Sequence, residues 1–416
     1  MIPRSRFVSI LSVFLVSSVS LAAEHSTTLT DTAENIQIDN WSHMIVHDGE
    51  SCSIRKSTLH GGRQEGVDVI DVNNGRLQFR VVPTRGMGIL WVQCGDVRLG
   101  WDSPIQEIVH PMHVDLDARG GLGWLHGFNE WMVRCGLEWA GSPGTDTMIN
   151  NQGDSVSMEL SLHGRIANIP ATKVVVSIDK GPQPRIRIRG LVEEITFHGP
   201  KLEIWTEIST ELGSSEFQIS DTVTNRSASP QEMQIIYHAN YGTPILEKGA
   251  KLVAPIDEVY PFNDRAVPNV RDHATYDEPT PGYVETVYCI HPKADPRGDV
   301  TILLHNATGD QGVSMKWPIN QLPYLTQWKN TIAQQDGYVT GLEPATGFPL
   351  NRQAEREGGR VPVLEGGQSR TFTLDFNVLT EEQQVRTVVE TISRIQGADM
   401  PKFHNNPLIT SEAATE

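Results

Sequence analysis

The chain has little cysteine, a shortage of positive charge and almost no long apolar runs. Its four cysteines, Cys52, Cys94, Cys135 and Cys289, are scattered over 416 residues and form no C-x-x-C pair. That spacing signals neither a cysteine-ligated metal module nor a disulfide scaffold. Three pairings are open if the chain is exported, and isolated buried thiols fit as well. Lys and Arg total 34 against 51 Asp and Glu, a formal net charge of −17. Nucleic acid and anionic membrane surfaces would repel such a chain, so no partner of either kind is expected and an uncharged small molecule fits better. Beyond the N-terminus no apolar stretch is long enough to cross a bilayer. Nor is there a Pro-, Gly- or Ser-rich linker, an internal repeat, or the βαβ rhythm of a parallel sheet.

What is present begins with "MIPRSRFVSILSVFLVSSVSLAAEH". Arg4 and Arg6 precede an apolar run from Phe7 to about Leu21, followed by small residues. This is the layout of a secretory signal peptide over residues 1–22, with cleavage near Ala23 and a periplasmic or secreted mature chain, free of the membrane after cleavage. Residues 23–60 read as an irregular, polar segment apart from "WSHMIV". From there to 396 the chain reads as one all-β domain, and 397–416 as a loose tail. "RIRIRGLVEE" (185–194) opens on strict alternation, and "LEIWTEIST", "EFQISDTVTN", "EMQIIYH" and "RTFTLDFNVL" follow with turn clusters between them. Period-two patterning and β-branched residues predict antiparallel strands in a large β-sandwich with few short helices. The one clear helix is expected over 380–395, with Thr380 as N-cap.

Three polar stretches interrupt the strands. "LHGRIANIP" carries His163, "IIYHANYGTPIL" carries His238, and "GYVTGLEPATGFPLNR" carries Glu343. Each places an ionisable group at the end of an apolar run, where a rigid scaffold can aim it. Histidine gives or takes a proton near neutral pH, and a glutamate shielded from water becomes a usable base. Between residues 120 and 144, "GGLGWLHGFNEWMVRCGLEWAGSPG" is dense in glycine and tryptophan. Its tryptophans either offer flat platforms to a sugar ring or plug one end of the sandwich.

These segments resemble the galactose mutarotase (aldose 1-epimerase) superfamily, and more closely its DUF4432 branch, over most of residues 65–380. "VVPTRGMGI", "LGWDSP", "LHGRIANIPA", "YHANYGTPIL", "WKN" and "GLEPATGFP" carry the resemblance, and His163, His238 and Glu343 follow one another at separations of 75 and 105 residues in the family's order. The resemblance implies a mutarotase-like supersandwich and an isomerase that opens and recloses a sugar ring. Glu343 would take the anomeric proton, a His238 imidazolium would protonate the ring oxygen, and His163 would hold the ring or the leaving oxygen. Neither metal nor organic cofactor is implied, since only protons move. Arg85, His126, Arg134, Arg165, Trp328 and Lys329 are candidate substrate contacts. His110, His113 and Asp115 form an incomplete zinc-like set. The chain departs from the family at Arg165, where the parent enzymes have a second glycine; a cation there would narrow the pocket or select an anionic sugar. The sugar-binding aspartate has no firm counterpart, Asp257 and Asp264 being candidates. Two further readings stay open: an epimerase or lyase acting on a keto-sugar, and a carbohydrate-binding protein without catalysis.

Overall fold

In a computed structural model, which describes residues 23–47, 49–179 and 183–408, the chain forms two large β-sheets, one of ten strands and one of thirteen. The expected signal peptide lies outside the described residues. The strand Arg185–Ile195 shows why the sheets form where the pattern says. Ile186, Ile188 and Val192 face the core. Arg185 and Arg187 point outward and pair across strands with Glu211 and with Asp179 and Glu207. Strand pairing is antiparallel throughout both sheets except where Lys402–Phe403 runs parallel to Ile256–Pro261. The inner faces meet in one continuous apolar core, with Trp131 packed edge-on against Phe217 and Phe376.

Residues 23–60 are not irregular. Ala23–Asp31 joins the ten-stranded sheet beside Lys173–Asp179, while Trp41–His47 and Glu50–Thr58 extend the thirteen-stranded sheet. Hydrophobic alternation is weak, since Met44 and Val46 face solvent, yet Leu29, Cys52 and Ile54 are buried. The tail is likewise tied down as far as Leu408, whose N–H donates to the Pro261 carbonyl. The late helix spans Glu382–Gln396 and lays Val385 and Ile392 on Leu303 and Leu379. Its N-cap position is Glu381, not Thr380, because it is the Glu381 carbonyl that accepts from the Gln384 and Val385 N–H groups. All four cysteines are buried and free. No helix of the described residues is long and apolar enough to cross a membrane.

Candidate functional site

Three neighbouring strands of the thirteen-stranded sheet, Gln234–Tyr241, Val339–Ala345 and Tyr324–Asn330, build the floor of a cavity of about 370 Å³. Pairing of Ile236 with Ala345 and of Ala239 with Leu342 sets His238 opposite Glu343, and Thr326 stands opposite Glu343 on its other side. The three side chains thus form one row across the sheet. His238 Nε2 lies 3.3 Å from Glu343 Oε1. Gly341, two residues before Glu343 on the same face, leaves room for the pair. A Cβ there would stand 2.5 Å from Glu343 Oε1 and 3.1 Å from His238 Cε1.

His163 reaches the same cavity from a loop. Its backbone is left-handed (φ 61°), and that of Gly164 follows (φ 69°). Left-handed geometry is costly for a residue with a side chain, of order 1 kcal/mol. The turn is held in place by three backbone bonds: His163 N–H to Gly141 O, Gly136 N–H to His163 O and Arg165 N–H to Gly136 O. A side chain at position 164 would collide with the carbonyls of Trp139 and Gly136, so only glycine fits. The His163 and His238 rings meet edge to face at 5.3 Å, and Trp124 packs 4.7 Å from His163. Phe128, Trp328 and Trp124 close around His238 at 5.4, 5.6 and 6.1 Å.

Burial governs the electrostatics. It pushes Glu343 well above the ordinary carboxyl range, with the negative charge of Glu285 adding to the effect. It holds His238 well below the ordinary imidazole value, helped by the neighbouring His163. His163 itself is brought down to about 4 by burial. Its Nδ1 lies 3.0 Å from the Ala140 carbonyl, which fixes the proton there and leaves Nε2 as an acceptor. Burial thus pulls the His238–Glu343 pair toward its uncharged form, a carboxyl beside a neutral imidazole. The resemblance implied the opposite placement, with an imidazolium facing a carboxylate.

The other candidates divide. Trp328 lines the cavity, its Nε1–H donating to Glu285 at 2.7 Å. Lys329, next along the same strand, points to the opposite face. Its ammonium donates to the carbonyls of His273 and Thr275, and burial lowers it to about 8. Arg85 and Arg134 are wholly buried ion pairs rather than cavity residues. Arg85 donates to Glu130 at 2.6 Å and to the Val109 carbonyl. Arg134 forks onto Asp221, which also accepts from the Tyr237 hydroxyl at 2.8 Å, and so rivets one sheet to the other. Arg165 is held by Glu138 and Glu194, its guanidinium over the Trp139 ring, and does not line the cavity. His126 is half-buried and also outside the lining. His110 caps the Met112 N–H, and no cluster of three His, Cys, Asp or Glu able to hold a metal occurs among the described residues. Asp257 and Asp264 are exposed and do not line the cavity. The second carboxylate at the cavity is Glu285, for which the sequence carries no motif, and Thr326 was equally unmarked. A second hollow of about 360 Å³ on the ten-stranded sheet is walled by charges already paired with each other, such as Arg185 with Glu211 and Lys316 with Asp375.

The model of a family described as a domain of unknown function, DUF4432, matches residues 64–378. A provisionally named aldose 1-epimerase of Klebsiella pneumoniae subsp. pneumoniae is similar over 92% of this chain and 99% of its own, at 39% identity and a TM-score of 0.87. A galactose mutarotase-like protein of Clostridium acetobutylicum shares the fold alone, at 14% identity and a TM-score of 0.50 over 82% of this chain and 99% of its own. No curated protein matches the chain. With a family match over most of its length and an all-β supersandwich built as described, the chain belongs to the DUF4432 family, within the galactose mutarotase-like (aldose 1-epimerase) superfamily.

Proposed function

We propose that the cavity binds an aldose in its ring form and exchanges its two anomers by acid–base catalysis, as an isomerase without metal or organic cofactor. The observation that carries this reading is the contact between His238 and Glu343, two buried proton carriers 3.3 Å apart in a sugar-sized cavity with His163 beside them. One member of the pair takes the anomeric hydroxyl proton while the other delivers its proton to the ring oxygen. The C1–O5 bond breaks and an open aldehyde results. Rotation about C1–C2 and reclosure from the other face return both protons, so the pair ends as it began. Either member can play either part, because one proton exchanged between them interconverts the two arrangements. Neutral His163 accepts a hydrogen bond from a sugar hydroxyl and fixes the ring. Each positioned group contributes about 10²–10⁴-fold.

The test is anomeric exchange followed by NMR over a panel of aldoses, for wild type, Glu343→Gln and His238→Asn. Exchange above the buffer rate that collapses in both variants while sugar still binds supports the reading. Binding without exchange would leave a carbohydrate-binding protein. Export belongs to the same proposal, supported by the N-terminal pattern of Arg4, Arg6 and the Phe7–Leu21 run. Sequencing the N-terminus of the mature chain from its native host would find Ala23 or a near neighbour.

A further inference from the structure

The lining of the cavity is specific about charge and about one position of the sugar. Its ionisable side chains are Glu343, Glu285, His163 and His238; neither lysine nor arginine lines it. A carboxylate or phosphate on the substrate would lose its water beside two carboxyl groups with no cation to pair it, which is strongly unfavourable. The geometry of a pyranose adds a second constraint. The pair must reach both O1 and O5 on C1, so the substituent on C5, one bond from O5, has to lie beside the pair. What surrounds the pair there is aromatic and aliphatic. Trp124 and Phe128 stand 6.1 and 5.4 Å from the His238 ring, and Leu162 adjoins His163 in the wall. Only two side-chain polar atoms of the lining, apart from His238 Nδ1, are buried without a protein partner: Trp124 Nε1 and Thr326 Oγ1. An unmade buried hydrogen bond is costly, so a ligand hydroxyl that bonds either atom relieves that cost. Thr326 sits in the His238–Glu343 row, where the hydroxyls flanking the anomeric carbon would fall.

We infer that the substrate is an uncharged 6-deoxyhexose, held with its C5 methyl against Phe128 and Leu162 and with its hydroxyls on Thr326 and Trp124. This rests on the anomer-exchange reading above. A hydroxymethyl group would bury its oxygen among carbon atoms, whereas a methyl fills the same space without an unmet hydrogen bond. An apolar wall discriminates against an added hydroxyl by about 10–10²-fold.

The experiment measures anomeric exchange and ligand-observed NMR binding for two matched series: D-quinovose, D-glucose and D-glucuronate, and D-fucose, D-galactose and D-galacturonate. In at least one series the 6-deoxyhexose should exceed its parent hexose by about 10–10²-fold in kcat/KM, and neither uronate should react. Thr326→Val should lower kcat/KM for the 6-deoxyhexose about tenfold. A hexose matching or exceeding its 6-deoxy partner in both series overturns the inference, as does a uronate that reacts. Absence of binding by every sugar overturns it too. Preferential binding of a 6-deoxyhexose without exchange sustains the specificity and overturns the proposed reaction alone.

Discussion

Replacing Glu343 by glutamine should make the protein more stable at neutral pH while removing most of its turnover. The change deletes no heavy atom, so it opens no cavity. The amide can still bond His238 across the 3.3 Å gap. What it removes is an ionisation that burial opposes. The sign follows from where the proton sits. An unfolded glutamate titrates near 4.3. The folded group titrates well above that value, so as pH rises past about 4.3 the unfolded chain releases a proton that the native state keeps. The group's contribution to stability is full below the unfolded value and is lost as pH rises toward the folded one, at about 1.4 kcal/mol per pH unit. For a chain of this length 1 kcal/mol moves Tm by about 1 °C. Thermal melts of both proteins between pH 4.5 and 7.5 should therefore start nearly together and diverge by about 1–2 °C per pH unit in favour of Glu343→Gln. His238 and His163, both lowered, weaken the two proteins alike as pH falls. Anomeric exchange should meanwhile fall about 10²–10⁴-fold. A glutamine variant that melts lower at neutral pH, or a Tm difference that ignores pH, would mean that the native carboxyl is ionised against an imidazolium, and the proton placement would be wrong.

The double variant Glu343→Gln/His238→Asn should lose no more activity than the worse single variant, since one proton shuttles through both groups; single-turnover exchange rates measure this. Gly341→Ala should cut exchange at least tenfold while leaving the melt nearly unchanged, because the added methyl displaces the end of the Glu343 side chain rather than backbone. Asp221→Asn leaves the Arg134 guanidinium buried without its counter-charge, and denaturant titration should find about 3–5 kcal/mol lost. Replacing Arg134 and Asp221 together by Met and Leu should recover most of that, the oxygen partner of Tyr237 being the remaining loss.

Alternation written into "RIRIRG" and its neighbours determined the antiparallel sandwich, because a strand with one wet face and one dry face reveals its period. The family resemblance carried by the segments around His163, His238 and Glu343 likewise marked which side chains could share a cavity. Tertiary structure alone decided the rest. Met132–Leu137, Gln234–Tyr241 and Val339–Ala345 are buried at every position; all three pack on the sandwich core on one face, and the latter two contribute His238 and Glu343 to the cavity on the other. With no wet face, no polarity pattern tells which residues point which way. Arg134 and His238 looked equally eligible, yet Arg134 pairs with Tyr237 in the sheet and turns to Asp221 in the core, while His238 one residue on turns to Glu343. Trp328 and Lys329 part company by the same parity. The strand Ala23–Asp31 escaped notice for a different reason: it finds its partner about 150 residues away, a pairing no local pattern encodes.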